Sequence, residues 1–183
     1  MSVIRKPIIG VIGPNQALCS REIYDFGLLL GRRLVDDGFF IACGGMYGVM
    51  ESVCRGAHNS PMYVTGSTIG FIPSIDRNTA NPFCDIVIPT GMGLARNILL
   101  VNTSDLLIAV GGGAGTLSEI SYAWQTGKTV LCCTQFSGWS ADLAGKSLDD
   151  RMQQLLIPVN SLEQIRNELK KYFSLSSEEQ AGK

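Results

Sequence analysis

The chain has 183 residues, enough for one domain of ordinary size. Its 45% hydrophobic content and mean hydropathy of +0.18 supply a core that a disordered chain lacks. Fifteen basic against sixteen acidic residues leave a net charge of −1, without the basic surplus of a dedicated nucleic-acid-binding domain. No stretch approaches the roughly 18 continuous apolar residues of a membrane span. Residues 1–6 run straight into apolar sequence with no cleavage-type tail, so a cytoplasmic protein is expected.

In chain order, the hydrophobic period switches repeatedly between short apolar runs and helical stripes. Residues 7–12 read as a strand, and 21–37 as a helix with Ile23, Phe26, Leu30 and Leu34 on one stripe and Gly38 as its stop. A second strand at 39–43 ends in Gly44-Gly45 and leads to a helix at 47–58. Strands follow at 67–72 and 85–88, separated by a loop at 73–84. A helix at 93–103 precedes a strand at 106–110, a run of glycines, and a helix at 115–125. A strand at 129–133 and a less regular stretch lead to 157–159, and a closing helix at 161–173 takes Ser161 as N-cap. Unbroken apolar strands alternating with helices predict an α/β domain with a doubly wound, mostly parallel sheet of six or seven strands. That domain covers 1–173, and 174–183, rich in Ser, Glu and Gln, is expected to be a flexible tail.

The six cysteines contain no CxxC spacing, and His58 is the only histidine. Reduced, structural thiols are expected, and no metal site is assigned.

The glycines carry the functional signal. Ten of the 21 fall at or just after the carboxyl ends of strands, the edge where open α/β sheets bind ligands. Glycine there lets backbone N–H groups approach a ligand closely. Gly27 and Gly31, one helical turn apart, are instead expected to permit close helix packing. The sharpest element is Gly111-Gly112-Gly113-Ala114-Gly115-Thr116-Leu117-Ser118-Glu119. A glycine turn between a buried strand and a helix exposes the helix's unpaired N–H groups and positive dipole end, a site for phosphate. No GK[ST] follows, so it is not a Walker loop, and it follows a late strand, unlike the usual dinucleotide fingerprint. Glu119 and Arg96 are the charged residues nearest this edge.

These residues resemble a known family. Gly112-Gly113-Ala114-Gly115-Thr116-Leu117-Ser118-Glu119 looks like the PGGxGTxxE motif of the LOG-like proteins, often labelled "lysine decarboxylase". Arg96, 23 residues before Glu119, matches the Arg-to-Glu spacing of LOG phosphoribohydrolases, and Cys43-Gly44-Gly45-Met46-Tyr47-Gly48-Val49-Met50 resembles their second glycine motif. The branch most similar includes the molybdenum-cofactor carrier proteins, on the strength of 91–97 and 110–120. Gly111 replaces the motif's proline, and Asn97 stands where the cytokinin-activating enzymes have lysine, so cytokinin specificity is not carried over.

The resemblance implies a single Rossmann-like domain that binds a phosphate-containing ligand, with Gly13, Gly44, Gly45, Met92, Asn97, Gly112, Gly113, Ala114, Gly115 and Thr116 around it. Two activities remain open. One is a phosphoribohydrolase that cleaves the N-glycosidic bond of a nucleoside 5′-monophosphate, with Arg96 and Glu119 catalytic. The other is a carrier that holds molybdenum cofactor, a pterin with a phosphate, without catalysis. Neither requires a resident cofactor or metal. Pyridoxal-dependent lysine decarboxylation is excluded, because no lysine sits in a context for it. Single-stranded DNA binding lacks the basic groove it needs. A homodimer or larger homo-oligomer is expected, consistent with a charged fraction of only 17%, against about 25% in soluble domains.

Overall fold

A computed structural model describes residues 5–150 and 156–181. Its strands are β1 (Ile8–Ile12), β2 (Phe40–Cys43), β3 (Thr68–Ile72), β4 (Ile86–Pro89), β5 (Leu106–Val110), β6 (Val130–Cys133) and β7 (Leu156–Val159). Its α-helices are α1 (Arg21–Asp36), α2 (Val49–His58), α3 (Asn97–Thr103), α4 (Ala114–Gln125), α5 (Trp139–Leu143) and α6 (Leu162–Ala181). The strands form one all-parallel sheet in the order β4-β3-β2-β1-β5-β6-β7. The fold is therefore α/β and Rossmann-like, with the upper of the two expected strand counts.

Two apolar layers cover the sheet, as its unbroken strands require. One gathers Leu30 and Leu34 of α1, Val49 and Val53 of α2 and Ile165 and Leu169 of α6 on one face. The other gathers Leu100 and Val101 of α3 with Ile120, Ala123 and Trp124 of α4. All five residues of β5 are buried, whereas the edge strand β4 exposes both of its ends. No helix of the described residues is long and apolar enough to cross a membrane.

Most element ends fall within two residues of expectation, for local reasons. Ser20 caps α1 by accepting from Ile23 N at 3.2 Å, and Gly38, at φ +91°, turns the chain out after it. Ser161 Oγ accepts from Gln164 N at 3.2 Å at the start of α6. The segment expected as one helix over 93–103 divides instead into a 3-10 turn, Gly93–Arg96, and α3. Gly93 has φ +56°, which an α-helix does not accept, so regular helix begins only at Asn97. Helix α5 lay hidden in the stretch read as irregular, most of whose later part, 151–155, lies outside the described residues. α6 continues through Ala181, across much of the segment expected to be a tail.

Gly27 and Gly31 do permit close helix packing. A Cβ on Gly31 would run into the Val53 backbone, and one on Gly27 into Ser52 Oγ. From α2, Gly56 answers against the Leu28 backbone. Two opposing effects decide the outcome of Gly31→Ala. Helix propensity alone would stabilise by up to about 1 kcal/mol, while overpacking against rigid backbone costs about 1–3 kcal/mol. The clash is with a main-chain carbonyl, which cannot rotate away, so a net loss and a lower denaturation midpoint are expected. A midpoint equal to or above wild type would contradict close α1–α2 packing.

Candidate ligand pocket

Strand order reverses between β1 and β5. From β1 the chain steps outward through β2, β3 and β4, then returns to β5 on the other side of β1. At such a point the loops leaving the two strands diverge and open a crevice at their carboxyl ends. A cavity of about 250 Å³ lies here. Its walls are Gly13 to Asn15 after β1, Gly44 after β2, Arg96 and Asn97, and Gly113 to Thr116 with Glu119 at the start of α4.

The turn after β5 is built to expose the helix end. Gly111 and Gly112 take φ +58° and +97°, a left-handed path that only glycine follows without strain. Gly113 is the N-cap of α4 and offers no side-chain hydrogen bond to the first turn. The N–H groups of that turn therefore have neither intrahelical nor capping partners, and the positive dipole end faces the cavity. Gly113 and Gly115 keep the approach open. A Cβ on Gly113 would meet only Leu18 Cδ1 at 3.5 Å, and one on Gly115 nothing within 4 Å. Helix α5 braces the turn from behind: Trp139 N and Ser140 N donate to the carbonyls of Gly112 and Gly111, each at 3.1 Å. Ser140 Oγ accepts from Gly111 N and donates to Cys133 O, both at 2.7 Å.

Across the cavity, Arg96 is 9% exposed and Glu119 6%. Arg96 lies flat against Gly44, where a Cβ would sit 2.6 Å from Nη1 and 2.7 Å from Cζ. Any side chain at position 44 would therefore displace the guanidinium. Arg96 Nη1 donates to Glu119 Oε1 at 3.4 Å, a long bond. Arg96 Nε is buried without a hydrogen-bond partner among the described residues. A buried donor without a partner is a costly arrangement, and Arg96 is also one of the residues that line the cavity.

Glu119 is pushed up from 4.5 to about 7. Burial is the largest cause, Arg96 pulls partly back, and Cys43 pushes further in the upward direction. Desolvation thus outweighs the ion pair, as the long bond would suggest. The carboxyl can exchange a proton near neutrality, which suits either a hydrogen-bond donor to a heterocycle or a general acid–base.

Of the expected site residues, Gly13, Gly44, Arg96, Asn97, Gly113, Ala114, Gly115, Thr116 and Glu119 line one cavity. Asn97 also donates from Nδ2 to Ser118 Oγ at 2.9 Å, tying the start of α3 to α4. Gly112 stands behind the wall, with the Thr116 side chain folded over it. Gly45 is turned away, packed on Gly70 and Ile72, and Met92 is an exposed residue before the 3-10 turn. Sequence reasoning missed Pro14, Asn15, Leu18, Met50 and Leu94 as wall residues. Pro14 and Asn15 follow Gly13 at a strand end, a signal that was available, while Met50 and Leu94 carry none.

An all-parallel Rossmann-like domain with a glycine-lined pocket at its switch point defines a broad class of ligand-binding proteins, and comparison narrows it. The profile of the SLOG cluster4 family matches residues 6–166, and the chain belongs to that family. An uncharacterized protein of Archaeoglobus fulgidus is 40% identical over 122 residues, 67% of this chain and 76% of that protein. The molybdenum cofactor binding protein of the phototrophic bacterium Rippkaea orientalis superposes with a TM-score of 0.79 at 31% identity, covering 93% of this chain and 99% of that one. The molybdenum cofactor carrier protein of Chlamydomonas reinhardtii does so at 0.77 and 29%, covering 92% and 99%. The resemblance found in the sequence, to LOG-like proteins and their molybdenum-cofactor branch, is borne out.

The raised Glu119 value fixes a pH dependence. Between its unfolded value of 4.5 and about 7, the folded protein holds this proton and the unfolded chain does not. Stability therefore falls as pH rises through that window. Chemical denaturation should show Glu119→Gln gaining on wild type between pH 5 and 8, by on the order of 3 kcal/mol. A difference independent of pH would contradict the buried, desolvated carboxyl.

Proposed function

We propose that this protein binds a phosphorylated pterin cofactor of the molybdenum-cofactor type and holds it without cutting it. The observation that carries the reading is the pairing, along one cavity, of an uncapped α4 N-terminus and the guanidinium of Arg96, whose Nε has no partner among the described residues. The first is suited to a phosphate and the second to an acceptor atom elsewhere on the same ligand. The names of the Rippkaea and Chlamydomonas relatives support the choice of ligand class. In this reading Gly113 to Thr116 hold the phosphate, Gly13 and Gly44 leave room for the body of the ligand, and Arg96 and Glu119 face its polar edge.

Gly113→Asp tests the anion site. The position has φ −105° and open space beside it, so the fold should survive. The new carboxylate would occupy the phosphate position with like charge. Binding of a pterin phosphate, followed by calorimetry, should weaken at least tenfold with a melting temperature no lower than that of wild type, since Asp also caps α4. Undiminished affinity would sink the assignment.

The near-neutral Glu119 favours a second reading, phosphoribohydrolysis of a nucleoside 5′-monophosphate. Departure of the base builds positive charge on the ribose, which a carboxylate stabilises, and the same carboxylate can take a proton from the attacking water. Glu119→Gln would then lower the rate by about 10²–10³ with ground-state binding retained. The carrier reading expects no ribose 5-phosphate from wild type across a panel of nucleoside monophosphates. Release of base by wild type, lost in Glu119→Gln, would replace it.

A second copy of the chain is part of the same proposal. Leu94 and Ile98 are 82% and 38% exposed on a groove that begins at the pocket's mouth and continues along α4 past Tyr122. Covering them would shield the ligand as well as apolar surface. Light scattering at micromolar concentration should give a dimer or larger, and a strictly monomeric protein would remove this part of the proposal.

A further inference from the structure

Cys43, Cys54 and Cys84 are 11 and 30 residues apart in sequence, yet their sulfurs meet. Cys43 ends β2, Cys54 lies in α2, and Cys84 stands just before β4. The Sγ atoms of Cys43 and Cys54 are 3.6 Å apart, those of Cys54 and Cys84 are 3.9 Å apart, and all three lie within 4.8 Å of one another. Cys43 and Cys54 are buried and Cys84 half-buried.

Three thiols in a core can be small apolar side chains and nothing more. Two features go beyond that. N–H groups are aimed at the sulfurs: Gly45 N donates to Cys43 Sγ at 3.3 Å, and Asn81 Nδ2 to Cys84 Sγ at 3.2 Å. Asn81 is itself held in place, donating from Nδ2 to Met46 O and from its backbone N to Gly45 O, both at 2.8 Å. Space is also reserved: a Cβ on Gly70 of β3 would lie 2.7 Å from Cys84 Sγ. The 73–84 loop thus delivers Cys84 to a prepared position.

Two sides of the triangle match a metal–thiolate site, and the third is no longer than 4.8 Å. A metal–sulfur bond of about 2.3 Å puts ligand sulfurs about 3.8 Å apart in tetrahedral and about 4.0 Å apart in trigonal geometry. Among the described residues no further Cys, His, Asp or Glu joins the group. The nearby His58 is engaged with Phe83 O at 3.1 Å and Asp85 at 3.4 Å. Zinc in structural sites takes four ligands, so a three-sulfur set does not suit it. Soft sulfur ligands select copper(I).

We propose that Cys43, Cys54 and Cys84 form a three-coordinate site for a soft d10 metal ion of the copper(I) class. Binding involves no redox step. Each ligating thiol gives its proton to solvent, and the ion keeps its oxidation state. The negative charge that results is offset by the two N–H donors and by Arg96, which packs on Gly44, the residue after Cys43. The sulfur site lies beside the ligand pocket, with Arg96 and Gly44 between them, and the metal titration reads it whichever ligand that pocket takes.

The test is anaerobic copper(I) titration of the reduced, full-length protein against a copper(I)-specific chelator, with X-ray absorption on the loaded sample. One copper per chain with three sulfur neighbours at about 2.3 Å is expected, along with no retention of zinc against a comparable chelator. Cys84→Ser should weaken copper retention at least tenfold and leave two sulfurs. Cys19→Ser, which removes a partly exposed thiol outside the cluster, should change neither. Failure of wild type to compete for copper, a two-sulfur site in wild type, or equal losses in the two variants would each overturn the proposal. The wild-type coordination number decides the question even if Cys84→Ser does not fold.

Discussion

The reversal of strand order between β1 and β5 is the constraint on which the rest depends. Because the chain leaves β1 in one direction and returns to β5 from the other, the loops after these strands separate. The backbone between them cannot be covered by a crossover helix. A crevice is left whose walls are loop backbone and a helix end rather than packed side chains. Each unusual residue nearby follows from it. Gly111 and Gly112 turn the chain at positive φ, Gly113 leaves α4 uncapped, and Ser140 ties the turn to the end of β6.

The second constraint is electrostatic. Arg96 and Glu119 sit where water is largely excluded, yet their bond is long and one guanidinium N–H is unsatisfied. A pair kept only for stability would close this geometry, since a buried ion pair repays its desolvation only with complete hydrogen bonding. The Arg96–Glu119 pair is instead left open toward the cavity. Gly44 has no Cβ because the guanidinium lies flat against that backbone. Pocket, charge pair and glycine motif are one arrangement.

Much of this was legible in the sequence, because it depends on local rules. Strand and helix periods, the Ser20 and Ser161 caps, Gly38, and the glycine run after β5 each report a backbone requirement that a few neighbouring residues satisfy. Arg96 and Glu119 were legible through their spacing from the glycine motifs. Three kinds of feature were not. Helix α5 spans only Trp139–Leu143 and has too few turns to set a period. Wall residues such as Met50 and Leu94 have no chemistry that marks them. The sulfur triangle joins the end of β2, helix α2 and the loop before β4, and no spacing in one dimension encodes that convergence. The absence of a CxxC pattern says only that no two ligands come from one tight turn.

The account's central claim is that the switch-point pocket is built around a phosphate and the polar edge of a pterin. Native mass spectrometry tests it most directly, applied to protein freshly purified from cells able to make molybdenum cofactor. Wild type should show a population heavier than the bare chain by the mass of a phosphorylated pterin, and that population should be absent when Arg96 is replaced by alanine in a folded variant. A wild-type protein that emerges bare from such cells, or one that carries its adduct equally well without Arg96, would contradict that claim.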